Sequence, residues 1–230
     1  IAIDLDGTTL NANSELTQET IDTLHAVQKL GHKVAIVTGR PYRSSKEIYN
    51  QLNLGGPIVN FNGALCHIPS KPEWDGRYHI TLDTELVLDL VAFNKTLPVD
   101  YLMVEGTELM YSNITELPDC PYYPKDQKPL LIHPTTKLKE KPTAVALFSD
   151  LELQSEIKKK ILHRYNNGIE VRTWGGSYPC LEVITSGIHK AKAVEHLSRY
   201  YDIHQKDILA FGDEDNDMEM IQYAGHGVAM

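Results

Sequence analysis

Residues 1–8 read Ile1-Ala2-Ile3-Asp4-Leu5-Asp6-Gly7-Thr8, and this stretch decides how the rest of the chain is read. The apolar residues predict a buried strand over 1–5, with carboxylates at its carboxyl end, where ligands gather in open α/β sheets. Strand alternation would put Asp4 and Asp6 on one side of an extended chain. Gly7 permits a sharp turn directly afterwards. Two carboxylates this close repel each other unless a cation or a shared proton is present. Taken alone, the pattern fits a polar turn after a strand as well as it fits a site.

Working outward, the next sixty residues alternate strand and helix. Thr17 is a helix cap, and Ile21, Leu24, Val27 and Leu30 recur on one helical face. Gly31 stops that helix. A second strand is expected over 33–37, a helix opening at Arg40-Pro41 with Pro in the first helical position, and a third strand over 57–61. Strand–helix–strand–helix–strand predicts a parallel sheet with right-handed crossovers. The middle changes style. A helix over 84–95 is followed by a hairpin pairing 99–104 with 108–112, then a loop-rich stretch over 113–141. A strand over 143–148, a helix over 151–165, and two strands, 169–174 and 180–185, joined at Gly175-Gly176, complete it. After residue 186 the first style returns: helix 190–200, strand 207–211, helix 216–223, strand 227–229. The fold class expected is α/β, a Rossmann-like parallel-sheet core formed by 1–81 and 186–230, with an inserted α+β domain over 82–185.

Three further clusters sit at strand ends. Thr38-Gly39-Arg40 offers a hydroxyl and backbone N–H groups suited to a phosphate oxygen, or an ordinary helix cap. In Asn60-Phe61-Asn62-Gly63, Asn62 either touches a ligand or tolerates the turn. Lys190 begins a helix, where the dipole disfavours a cation, a mild violation that hints at function. Gly212-Asp213-Glu214-Asp215-Asn216-Asp217 places so many carboxylates together that a cation is expected. An EF-hand is excluded: Met218 stands where that loop needs Gly, and Ala224 where it needs Glu. An all-oxygen ligand set at a short strand end favours Mg²⁺, which often binds together with substrate phosphate.

Composition narrows the partners. Of the 230 residues, 42% are hydrophobic and 23% charged, as in an ordinary globular chain, which excludes wholesale disorder. The net charge of −9 argues against nucleic acid, whose phosphates are met by basic faces. No apolar run approaches the ~20 residues of a membrane span. Cys66, Cys120 and Cys180 are far apart and odd in number, so neither a disulfide framework nor a zinc ribbon is expected, and a reducing, cytoplasmic setting fits. No secretory leader is visible, and both ends fall inside strand patterns as though trimmed. The sequence is silent on oligomeric state.

In this order, DxDGT, TGR, a lone Lys and GDxxND, the motifs resemble the haloacid dehalogenase-like (HAD) phosphatases, specifically the Cof-type branch, class IIB, with a C2-type cap. The resemblance implies a Mg²⁺-dependent phosphatase acting on a small phosphorylated metabolite, a sugar phosphate first. A phosphomutase of the same superfamily, or a phosphatase for FMN or pyridoxal phosphate, is the alternative. It implies Asp4 as nucleophile forming an aspartyl-phosphate, and Asp6 as general acid/base that also holds the metal through its carbonyl. Thr38, Gly39, Arg40, Asn62, Lys190 and Asn216 would bind the phosphoryl group, Asp213 would ligate the metal, and Asp217 would bond its waters or Lys190. Ala191 replaces a frequent Gly, and Glu214 and Asp215 make the last motif unusually acidic. The insert would read the leaving group; Trp74, Tyr101, Tyr111, Trp174 and Tyr178 are candidates either for stacking on it or for ordinary packing.

Overall fold

The computed structural model describes residues 1–118, 127–165, 168–174 and 178–230. They divide into two compact units, Ile1–His79 with Ile188–Met230, and Ile80–Gly187. The class is the expected α/β, with one mixed sheet in each unit.

Strand β1 is only Ala2–Ile3. The strand expected to reach residue 5 stops early because the chain turns through Leu5–Thr9, with Gly7 at φ +67°. Helix α1 (Gln18–Lys29) is capped by Thr17, whose hydroxyl accepts from the Thr20 N–H. Strand β2 is Ala35–Val37, buried throughout. Helix α2 (Tyr42–Leu52) has Pro41 as its cap, one position before the first-turn place expected for it. Strand β3 (Ile58–Asn60) is followed by β4 (Leu65–His67) and β5 (Tyr78–His79), both antiparallel additions that the sequence reading missed. They are two or three residues long, too short to show alternation.

The chain then builds the second unit: α3 (Thr84–Phe93), β6 (Tyr101–Glu105), β7 (Met110–Ser112), β8 (Leu130–Leu131), β9 (Ala144–Phe148), α4 (Leu151–Arg164), β10 (Ile169–Trp174) and β11 (Cys180–Thr185). The expected β6–β7 hairpin is present, with Val104 opposite Tyr111. The sheet order is β10-β11-β9-β6-β7-β8. Val87, Leu90 and Val91 of α3, and Ile157 and Ile161 of α4, share one core with Leu102, Val104, Val145, Leu147, Val171, Leu181 and Val183. Alternation along each strand therefore gives the helices one face of the sheet. Tyr111 is buried in that core, and its hydroxyl accepts from the Lys139 N–H. Tyr101 stacks on Phe148 at 4.4 Å. Packing therefore accounts for both. Trp174 donates to Glu182 at 3.2 Å. The expected turn at Gly175-Gly176, and Cys120, lie outside the described residues; Cys66 is a buried free thiol.

Helix α5 (Lys190–Tyr200), β12 (Leu209–Gly212), α6 (Met218–Tyr223) and β13 (His226–Ala229) complete the first unit. The helix expected from residue 216 begins instead as a tight turn, Asp215–Asp217, before α6. The sheet order β13-β12-β1-β2-β3-β4-β5 is parallel from β13 to β3. Its register sets Ile3 beside both Phe211 and Ile36, and Val37 beside Val59. The carboxyl ends of β1, β2, β3 and β12 therefore lie side by side, and the motifs that follow these four strands leave the sheet at that edge. Among the described residues no helix is long and apolar enough to cross a membrane.

Candidate active site

The centre of the site is an ammonium held between two carboxylates. Lys190 is 1% exposed, and its Nζ donates to Asp4 Oδ1 and to Asp217 Oδ1, each at 2.6 Å. Asp4 continues β1 by donating its N–H to the Phe211 carbonyl at 3.1 Å, and its own carbonyl accepts the Thr9 hydroxyl. Burial pushes the Asp4 carboxyl up to about 6; Lys190 pulls it back, and Asp217 adds to the rise. The second Asp217 oxygen accepts from the N–H groups of Asp213 at 3.2 Å and Glu214 at 3.3 Å. Both oxygens of Asp217 are thus engaged in holding Lys190 and the acidic loop.

Asp213 is exposed and is fixed by the Thr8 hydroxyl, which donates at 3.0 Å. Carboxylate oxygens of Asp4, Asp213 and Asp217 lie within 4.8 Å of one another. Three carboxylates face one ammonium there, all the donors are hard oxygens, and one of them is open to solvent. That set fits a small divalent cation. Gly7 makes room for the Asp213 carboxylate: a Cβ on Gly7 would stand 2.0 Å from Asp213 Oδ2.

The phosphate-type residues gather beside this cluster. Thr38 is buried, and its hydroxyl oxygen accepts from the Arg40 N–H at 3.1 Å, which leaves the hydroxyl hydrogen for another acceptor. The Asn62 N–H donates to the Thr38 carbonyl at 3.1 Å. Asn62 has φ +56°, and its amide oxygen accepts from Asn216 Nδ2 at 2.9 Å. This pair closes against Gly39, where a Cβ would stand 3.1 Å from Asn62 Oδ1. The other amide atom of Asn216 is buried without a partner.

Asp6 lies in the turn that follows β1, beyond the strand over which alternation was expected. Its carboxylate is gripped by Arg40, Nε to Oδ2 at 2.7 Å and Nη2 to Oδ1. The sequence reading placed Arg40 on the phosphoryl group; in the structure its guanidinium is on Asp6. That reading also missed Asn60 and His67. Asn60 is wholly buried, donates to the Arg40 carbonyl at 2.9 Å and to Ser45 Oγ at 3.0 Å, and bonds His67 Nε2 at 3.1 Å. Asn60 stood in a quoted motif but nothing marked its amide as used. His67 carried no signal.

With this geometry in view, comparisons place the chain among known proteins. A family model described as haloacid dehalogenase-like hydrolase matches residues 1–230. The 5-amino-6-(5-phospho-D-ribitylamino)uracil phosphatase YitU of Bacillus subtilis (strain 168) is 36% identical over 231 residues, covering 100% of this chain and 85% of that protein. Among solved structures, a haloacid dehalogenase-like hydrolase from Bacteroides thetaiotaomicron superposes with TM-score 0.81 at 22% identity, covering 100% of this chain and 86% of the other. The HAD subclass IIB sugar phosphatase BT4131 superposes with TM-score 0.77 at 22% identity, again covering 100% and 86%.

Proposed function

The chain belongs to the haloacid dehalogenase-like hydrolases, as a phosphatase of small phosphate monoesters, and from that premise we propose its residue roles, its metal and its substrate class. The observation that carries the reading is buried Lys190, which ties Asp4 to Asp217 across 186 and 27 residues of sequence. Asp4 is the nucleophile. Lys190 holds its Oδ1, so Oδ2 is the oxygen not committed to the ammonium. As the Asp4 oxygen–phosphorus bond forms, the bond from phosphorus to the ester oxygen breaks, and Asp6 gives that oxygen its proton. Asp6 then takes a proton from water as the water attacks phosphorus and releases Asp4. Lys190 neutralises the charge gathering on the equatorial oxygens, where such fixed donors are most effective.

Thr38 donates its spare hydroxyl hydrogen to a phosphoryl oxygen, and the Gly39 backbone lies beside it. Turning the Asn62 and Asn216 amides together keeps their mutual bond and presents Asn216 Nδ2, the donor that a phosphate oxygen requires. Mg²⁺ is the metal, held by Asp4, the Asp6 carbonyl and Asp213, with Asp217 organising the loop. When bound it supplies positive charge to the phosphoryl oxygens.

For substrate, we favour a primary phosphate ester at the end of a polyol carried on a heterocycle. The 36% identical relative acts, by its name, on a phosphorylated ribitylamino-uracil. That choice is narrower than the sugar phosphate the family resemblance points to first. The test is phosphate release from a panel of sugar, ribityl-pyrimidine, flavin and pyridoxal phosphates, with and without Mg²⁺, alongside acid-quench trapping of labelled phosphate. Label on Asp4→Asn protein, or full turnover after verified metal removal, would sink the roles. Return of the phosphoryl group to the substrate in place of release would make the enzyme a mutase.

A further inference from the structure

We propose that Arg40 is a positioning residue for Asp6, and that buried Asn60 and His67 hold Arg40 in place for that task. This rests on Asp6 being the general acid/base. The guanidinium meets both oxygens of the Asp6 carboxylate side-on, which fixes the plane of a side chain that is 48% exposed and would otherwise rotate freely. Arginine suits the role chemically. It only donates and stays protonated, so it grips the carboxylate without competing for the proton that Asp6 must move. A lysine there would be a point charge with no fixed plane.

The guanidinium is tied on its far side as well, where Nη1 donates to the Ser44 carbonyl at 3.3 Å. Three of its five N–H groups are therefore spent within the protein, against its use as a phosphate fork. The Arg40 carbonyl accepts from the Phe61 N–H at 3.3 Å and from Asn60 Nδ2 at 2.9 Å. Asn60 spends both amide hydrogens on Arg40 and Ser45, so its oxygen must accept from His67 Nε2–H. That fixes the His67 tautomer. Burial pushes the His67 imidazole down to about 4, so the ring stays neutral. The result is a fully bonded chain from His67 through Asn60 to the Arg40 backbone, and from the Arg40 side chain to Asp6.

The test separates aiming of the acid from binding of phosphate. Phosphorylation of Asp4 by an alkyl phosphate requires a proton on the leaving oxygen; with p-nitrophenyl phosphate the leaving group departs as the anion. We expect Arg40→Ala to lower kcat/KM for the alkyl phosphate about tenfold to a hundredfold, a partial loss of the roughly 10²–10⁴-fold ascribed to acid–base help. For p-nitrophenyl phosphate the loss should be within about threefold, with the inhibition constant of inorganic phosphate unchanged. Exogenous guanidinium should restore part of the alkyl phosphate rate. Arg40→Lys, which keeps the charge and removes the fork, should show the same skew to a smaller degree, and it carries the test if the alanine variant does not fold. Equal losses on both substrates, or weakened phosphate inhibition, would overturn the proposal and make Arg40 a phosphate ligand. Asp6→Asn, run in parallel, must show the skew itself. If it does not, the acid/base reading has failed; if it does and the Arg40 variants do not, the positioning role has failed.

Discussion

The charge of Asp4, the proposed nucleophile, should destabilise the metal-free fold, so Asp4→Asn should stabilise it. Asp4 is 5% exposed, and burial lifts its carboxyl from the ordinary 3.8 to about 6 despite the Lys190 ammonium. The folded chain therefore holds the Asp4 proton more tightly than the unfolded one. That contribution to stability is fully present below pH 3.8 and is lost as pH rises through about 6. At about 1.4 kcal/mol for each tenfold in proton affinity, the loss is about 3 kcal/mol. Asparagine, neutral at every pH, does not incur it. For a chain of this size, about 3 kcal/mol corresponds to a Tm gain of roughly 6–12 °C. The assay is thermal unfolding of both proteins in EDTA from pH 4.5 to pH 8. The gain should be small at the acid end, full by about pH 7.5, and reduced or reversed by saturating Mg²⁺, which favours the ionised carboxylate. An Asp4→Asn protein less stable than the parent at pH 8 in EDTA would refute the reasoning. It would mean that the Lys190 pair outweighs the burial of the charge.

Other expectations follow from single contacts. Lys190→Met should lower kcat/KM by about 10³ or more, since it removes the ammonium that faces the reacting charge, and steady-state kinetics will show it. It should also cost about 3–5 kcal/mol in urea unfolding at pH 8, because two buried carboxylates lose their cation. Gly7→Ala puts a Cβ 2.0 Å from Asp213 Oδ2 at a backbone φ of +67°. It should raise the Mg²⁺ concentration for half-maximal rate about tenfold or more, while Asp213 reverts to an ordinary surface residue in stability terms. Gly39→Ala sets a Cβ 3.1 Å from Asn62 Oδ1, and should raise KM several-fold while leaving kcat nearly intact.

Much of this arrangement was legible because parallel sheets collect their strand ends. Once 1–5, 33–37, 57–61 and 207–211 read as strands of one sheet, their trailing motifs had to meet at one edge. What alternation could not foresee was the early end of β1 at Ile3, or that Arg40 would grip the Asp6 carboxylate. Short antiparallel strands such as β4 and β5 offer too few residues for a period to register. Asn60 and His67 escaped for another reason. Their importance lies in hydrogen bonds to a backbone carbonyl and to each other, and a single sequence marks neither. For Asp217 the family resemblance left metal-bound waters or Lys190 as partners; the structure gives one oxygen to Lys190 and the other to the N–H groups of Asp213 and Glu214.

Lys190 at the start of α5 was a local contradiction, and the structure resolves it energetically. A cation at a helix N-terminus costs about 0.3–1 kcal/mol against the dipole. Two charge-assisted bonds, each worth about 1.5–3 kcal/mol, outweigh that cost. The helix places the ammonium where no flexible loop would hold it, inside the unit and 1% exposed. Yet the balance is left incomplete on purpose-bearing ground: Asp4, Asp213 and Asp217 set three negative charges against one positive. A phosphate ester arriving with its own charge would be repelled by that remainder. Burial chiefly lifts the Asp4 carboxyl to about 6, with Asp217 adding to the rise, and the charge left over in the cluster makes cation binding and phosphate binding mutually dependent. The acidic cluster carries an unbalanced repulsion, and a divalent cation held by Asp4 and Asp213 would relieve it and so favour binding of a phosphate ester.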